Sequence, residues 1–218
     1  LAATHSSLDA IEILAQRGAL MDKVLKDGNT ALVRAIQNDN LDSVRKLIEC
    51  KAMINFACGK DLQSPLMIAV KYQKLDMVRY LCGVKGIDLH QSDNLGSTAL
   101  MIAAATGNAE AAKVLVKSGA SMDLLNAEGR SALMEATSYN QLDMAGTLCS
   151  IGANVNLVNK SDITPLIHAV MEGNIEAVRF LIVKCNADAN LLTPNDFKTA
   201  LASACEENKV GTMTPMVV

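Results

Sequence analysis

The sequence predicts an all-α solenoid of stacked helix-turn-helix units joined by short β-hairpin-like turns. Three observations carry that reading. A tripeptide context recurs along the chain as Thr30-Ala31-Leu32, Ser64-Pro65-Leu66, Thr98-Ala99-Leu100, Ser131-Ala132-Leu133, Thr164-Pro165-Leu166 and Thr199-Ala200-Leu201. Its leucines stand 34, 34, 33, 33 and 35 residues apart, a period that marks stacked repeats. A second hydrophobic register follows, with Leu41, Leu75, Ala109, Leu142, Ile175 or Val210 nine residues after each marker leucine and Leu47, Leu81, Leu115, Leu148 or Leu181 fifteen after the first five. Helices this short are marginal alone in water, so each unit must bury its open face on its neighbours.

Each unit can be justified element by element. The Thr or Ser before the marker leucine is placed to cap the first helix, and Pro65 and Pro165 fall where a missing N–H costs nothing. The first helix ends seven residues after the marker, at Asp39, Gln73, Gly107, Asn140, Gly173 and Asn208, and five of these six are residue types that tolerate a left-handed backbone; Gln73 is the exception and is expected to strain its unit. The second helix carries a stripe such as Ile175, Val178, Leu181 and Ile182 and ends at Gly18, Gly86, Gly119, Gly152 or Asn186, with Lys51 in that place in one unit. Short extended segments (GALMD, GIDLH, GASMD, GANVN, NADAN) lead into the next turn.

Composition fits thin stacked layers. Half of the 218 residues are hydrophobic, yet there is no Trp and only three Tyr and three Phe, so the core must be Leu, Ile, Val, Met and Ala. Met67, Met101 and Met134 share one register next to the marker leucine, which assigns them to packing. The net charge of −3 and the absence of a Lys/Arg run argue against a nucleic-acid partner. No stretch approaches the roughly eighteen uninterrupted apolar residues of a membrane span. The six cysteines show no Cys-x-x-Cys spacing and are expected to be reduced, small buried hydrophobes, which places the protein inside the cell, in the cytoplasm.

The units resemble ankyrin repeats, whose pattern runs Gly-x-Thr-Pro-Leu-His-x-Ala-Ala, a two-residue turn, a second helix and Gly-Ala-Asp-Val-Asn. The His of that pattern is absent, replaced by Val33, Met67, Met101, Met134, Ile167 and Ala202. Extra residues sit between Asn55 and Ser64, before Gly86, and between Lys184 and Thr199. Residues 1–218 read as a single repeat domain with about five complete repeats and partial ones at 1–24 and 193–218. Leu1-Ala2-Ala3 aligns with Ile102-Ala103-Ala104, and Gly211 and Pro215 stand where a second helix should continue, so the chain is expected to be an excerpt of a longer protein.

No catalytic set is apparent, and no enzyme activity, cofactor or metal is expected. His5, His90 and His168 lie in different units, and His168, at a place where other units have Arg34, Ile68, Ile102, Glu135 and Ser203, is expected to be partly exposed with a structural or surface role. The resemblance implies a protein–protein interaction module, adaptor or scaffold, gripping its partner in a concave groove of turn tips and inner helices. It carries that role onto Lys26, Asn29, Gln37, Asn38, Lys60, Asp61, Gln63, Lys71, Tyr72, Asn94, Leu95, Ser97, Thr106, Glu128, Arg130, Tyr139, Lys160, Ile163, Met171 and Glu172. Tyr72 and Tyr139 are the named anchors; the alternative for each is that the ring covers its own helix turn. Lys46 and Lys113 are expected to face solvent on the opposite side. The partner is a protein and the module is monomeric; the rival role is a regulatory domain of a larger enzyme, such as a kinase, or of a channel.

Overall fold

The computed structural model describes residues 8–196 and 198–206. The expectations for Leu1-Ala2-Ala3, Asn208, Val210 and residues 211–218 lie outside them. Among the described residues it holds twelve helices: α1 (Leu8–Gln16), α2 (Ala31–Gln37), α3 (Leu41–Glu49), α4 (Pro65–Lys71), α5 (Leu75–Cys82), α6 (Ala99–Ala105), α7 (Ala109–Lys117), α8 (Ala132–Ser138), α9 (Leu142–Ser150), α10 (Pro165–Met171), α11 (Ile175–Val183) and α12 (Ala200–Glu206). Isolated antiparallel bridges join Cys58 to Gln63 and Ser92 to Thr98. No helix among the described residues is long and apolar enough to cross a membrane.

Local chemistry sets where each helix begins and ends. The hydroxyls of Thr30, Ser64, Ser131 and Thr164 accept the N–H of Val33, Met67, Met134 and Ile167, closing the first turn of α2, α4, α8 and α10. Each first helix then ends at a left-handed residue: Asp39, Gln73, Gly107, Asn140 and Gly173 have φ of 58°, 55°, 69°, 55° and 68°. Gln73 does adopt the conformation its position demands, at a cost in backbone strain that glycine would avoid. Lys51, with φ 70°, does the same at a place taken by Gly18, Gly86, Gly119 and Gly152 after other second helices and by Asn186 after α11.

The described residues divide into two compact units, residues 8–99 with 114–120, and residues 100–113 with 121–206 apart from 197. Within the first, α2 packs on α3 and α4, α4 on α5, and α1 on α3. Within the second, α10 packs on α8, α11 and α12, and α8 on α9. The marker leucines Leu32, Leu66, Leu100, Leu133 and Leu166 are buried, as are Met67, Met101 and Met134. Leu201, on α12, is substantially exposed. Of the second-helix stripe, Val178 and Leu181 are fully buried while Ile175 is exposed.

Asn and Gln side chains fasten successive repeats within each unit. In the first, Asn55 Nδ2 donates to the Gly86 carbonyl and Asn55 Oδ1 accepts the Asp88 N–H, while Gln91 Nε2 donates to the Asn55 carbonyl. In the second, Asn156 Oδ1 accepts the Asp188 N–H and Asn174 Nδ2 donates to the Thr137 carbonyl. These bonds reach across 31 to 37 residues, about one repeat, and satisfy loop polar groups that stacking would otherwise strand.

The expectation of six free thiols is corrected. Cys149 and Cys185 form a disulfide, while Cys50, Cys58, Cys82 and Cys205 are free. Both partners lie in the second unit. Cys149 is near the end of α9 and Cys185 two residues past α11, where the chain turns back at Asn186 (φ 56°) and brings the two Cα atoms to 5.7 Å.

Candidate functional site

Three of the turn tips, those before Leu100, Leu133 and Leu166, are built by one device. An Asp or Asn seven residues before the marker leucine accepts two backbone N–H groups: Asp93 from Leu95 and Ser97, Asn126 from Glu128 and Arg130, Asn159 from Ser161 and Ile163. Its own N–H meanwhile bonds the carbonyl four residues on, that of Ser97, Arg130 or Ile163. Three residues after it the backbone is left-handed, at Gly96, Gly129 and Asp162. These three Asx residues organise the tips and were not singled out from sequence, although their common register was there to be read.

Neighbouring tips are tied within each unit. In the first, Gly59 N–H donates to the Gly28 carbonyl and Asn94 N–H to the Asp61 carbonyl. A Cβ at Gly28 would come within 3.4 Å of the Gly59 Cα, so this close approach favours glycine as well as its φ of 83°. In the second, Asn159 Nδ2 donates to the Gly129 carbonyl. The buried Asp162 carboxylate accepts from the backbone of Asn195 and Asp196 and from Asn195 Nδ2. Burial alone would raise its pKa, but these bonds outweigh it and hold it below the usual aspartate value.

On the first unit's tips and first helices, Lys26, Asn38, Lys60, Asp61, Lys71, Tyr72, Asn94 and Leu95 are exposed, and Asn29, Gln37 and Ser97 are half-buried. Gln63 is buried, and its Oε1 accepts from Lys71 Nζ at 3.2 Å. On the second unit Thr106, Glu128, Tyr139, Lys160, Met171 and Glu172 are exposed, while Arg130 and Ile163 are half-buried. Tyr72 and Tyr139 are 49% and 58% exposed, each at the C-cap of its first helix.

Between α8 and α10 lies a polar cluster that sequence reasoning missed. Glu135 and His168, one repeat apart in the same register, are both buried, which corrects the expectation that His168 is partly exposed. Asn126 Nδ2 donates to Glu135 Oε1 at 2.8 Å, and Arg130 lies 3.2 Å from Glu128 and 3.8 Å from Glu172. His168 sits between Ser138 Oγ, 3.5 Å from Nδ1, and Glu172, 3.8 Å from Nε2. The order Ser, His, Glu is that of a nucleophile and its relay, but both contacts are longer than hydrogen bonds that move a proton. Burial, then Arg130, pushes the imidazole pKa down, so His168 is neutral at physiological pH.

Glu135 is pushed the other way. Burial raises its pKa, helped by Glu128 and Glu172 and opposed by Arg130 and the Asn126 bond. Between the ordinary glutamate value and this raised one the folded chain binds the proton that the unfolded chain has lost, so stability falls as pH rises through that window. Glu135→Gln, which keeps an acceptor for Asn126, is expected to raise Tm, with an advantage that is absent well below the ordinary glutamate value and develops as the pH rises above it into the neutral range. Equal melting curves across that range would contradict the assignment.

Lys46 does not stand free on the second-helix side as expected. It pairs with Glu12 of α1 and is largely covered. Lys113 does stand out, half-exposed, with Glu110 one turn away.

A family model described as ankyrin repeats in three copies matches residues 1–93, 66–159 and 150–214. The chain belongs to the ankyrin-repeat family. It is 31% identical over 113 residues, 46% of its length, to the human transient receptor potential cation channel subfamily A member 1, and 34% identical over 128 residues, 58% of its length, to human neurogenic locus notch homolog protein 1. It is 37% identical over 73 residues, 34% of its length, to the BRCA1-associated RING domain protein 1 of Caenorhabditis elegans. The matched stretches span 10%, 5% and 10% of those proteins. Among solved structures it is similar to the ankyrin repeat domain of Bcl-3, a member of the IkappaB protein family, with a TM-score of 0.82 and 26% identity over 96% of this chain and 92% of that one. The fold is thus the all-α ankyrin solenoid, and ankyrin repeats are protein–protein interaction modules.

Proposed function

We propose that this ankyrin chain is an adaptor or scaffold that binds a partner protein through its turn tips and the exposed ends of its first helices. The observation that carries this is the exposure of Tyr72 and Tyr139. In α4 and α8 every residue from the first position to the sixth is buried, and the large amphipathic ring that follows at the C-cap is not. A helix whose first six residues are buried holds the aromatic at its C-cap on a rigid support, so little ordering entropy is lost when a partner covers it. On the first unit Leu95 adds exposed apolar surface at a turn tip beside the charged Lys60 and Asp61, and on the second Met171 adds it at the end of α10 beside Glu128 and Glu172.

Tyr72→Ala and Tyr139→Ala are each expected to weaken binding of a partner isolated with the intact chain by about 2 kcal/mol, the scale of an interface hot spot. Lys113→Ala should leave affinity unchanged, and none of the three should shift Tm appreciably. Calorimetry on the purified variants checks this. Unchanged affinity in both tyrosine variants would remove the face from consideration.

A further inference from the structure

The second helices of the second unit carry a feature that the turn-tip face does not use. Thirteen residues after the marker leucine the chain has Arg45, Arg79, Lys113 and Arg179 in four second helices, but Gly146 in α9. With no side chain there, the Phe180 ring of α11 lies against the α9 backbone: a Cβ added at Gly146 would stand 3.1 Å from Phe180 Cζ. Beside this ring runs a cavity of about 690 Å³, walled by Leu142 of α9 and by Ile175, Phe180 and Val183 of α11. That volume falls in the range of small-molecule pockets, about 300–1,000 Å³, and the apolar walls with a few polar groups match their usual lining.

The charges around it are ordered. Helical spacing puts Ile175, Arg179 and Val183 in one row on α11 and Glu176, Phe180 and Lys184 in the next. The trough therefore extends over two turns, about 12 Å, with a carboxylate at one end and cations at the middle and the other end. Arg179 and Lys184 are exposed and make no ion pair among the described residues. Val183, at the end of the first row and next to Lys184, is 68% exposed, an apolar side chain left in water.

We propose that this trough binds a small amphiphilic carboxylate, its aliphatic or aromatic body against Leu142, Ile175, Phe180 and Val183 and its carboxylate on Arg179 and Lys184. The rim carries two cations against one carboxylate, so it selects an anionic head over a cationic or neutral one. The length of the trough suits a medium-length acyl chain. The site exists in this layer because Gly146 stands where a long basic side chain would otherwise lie along α9.

Dodecanoate, held below its micelle-forming concentration, serves as the probe in calorimetric titration of the intact chain, with dodecanol and dodecyltrimethylammonium as comparators. A single saturable site is expected for the carboxylate, with the other two at least tenfold weaker. The double variant Arg179→Gln, Lys184→Gln should lose at least tenfold in carboxylate affinity. Val183→Asp, a change at an exposed position, should abolish binding while circular dichroism and Tm remain those of the parent. Equal affinity for the three head groups, no saturable binding, or undiminished binding by folded Val183→Asp would each overturn the proposal. The turn-tip face lies on other residues, so none of these outcomes bears on the partner-binding reading.

Discussion

Reducing the disulfide between Cys149 and Cys185 is expected to lower the unfolding free energy of the second unit by about 4 kcal/mol, the loop-closure value for a cross-link spanning 36 residues. The loss should be local. In a repeat array each layer is held by its own packing and by the interfaces to its neighbours, and this bond joins the end of α9 to the chain just beyond α11. Hydrogen exchange should therefore quicken in α9 to α12 and stay unchanged in α2 to α5. Cys149→Ser should reproduce the loss and abolish the response to reductant, whereas Cys82→Ser, at a free thiol in the first unit, should still respond. Thiol titration of the denatured, unreduced chain should find four free groups. Six free thiols, or urea curves that coincide with and without reductant, would remove the bond from the stability of this protein.

Much of the fold was legible because a repeat imposes the same physical demand at the same place several times. A capping hydroxyl at Thr30, Ser64, Ser131 and Thr164, or a left-handed residue at Asp39, Gly107, Asn140 and Gly173, would be weak signals singly; in register they define the unit. What stayed hidden are departures from the register. Cys149 lies sixteen residues after its marker leucine and Cys185 nineteen after its own, so a strictly periodic reading keeps them apart. The extra residues after Lys184 let the chain fold back and close the distance.

Glu135 and His168 were hidden for a related reason. Their position varies among Arg34, Ile68, Ile102, Glu135 and His168, and variation reads as exposure. Yet Ile68, Glu135 and His168 are all buried, and the two polar ones find partners there. For Glu135 the partner is Asn126, nine residues back. Lys46 shows the same limit: its register reads as solvent-facing, but Glu12 of α1 reaches it across 34 residues and covers it.

Leu148→Ala is expected to cost about 3 to 5 kcal/mol, the upper part of the range for emptying a buried leucine site. Leu148 is fully buried in the register shared by Leu81, Leu115 and Leu181, which are equally inaccessible. Its layer is poor in side chains that can move into a void: Ala145 and Gly146 precede it on α9, and Ala177 is buried on α11. A lost isobutyl group therefore leaves a cavity rather than a repacked core, and the lost dispersion contacts are not recovered. Leu148→Met, which keeps the volume, should cost less than about 1.5 kcal/mol. Urea unfolding of the two variants beside Tyr139→Ala separates core from surface on one scale, since the exposed ring should stay within about 0.5 kcal/mol of the parent. A Leu148→Ala loss no larger than that of Tyr139→Ala would mean that the register fifteen residues after the marker leucine does not hold the layers together.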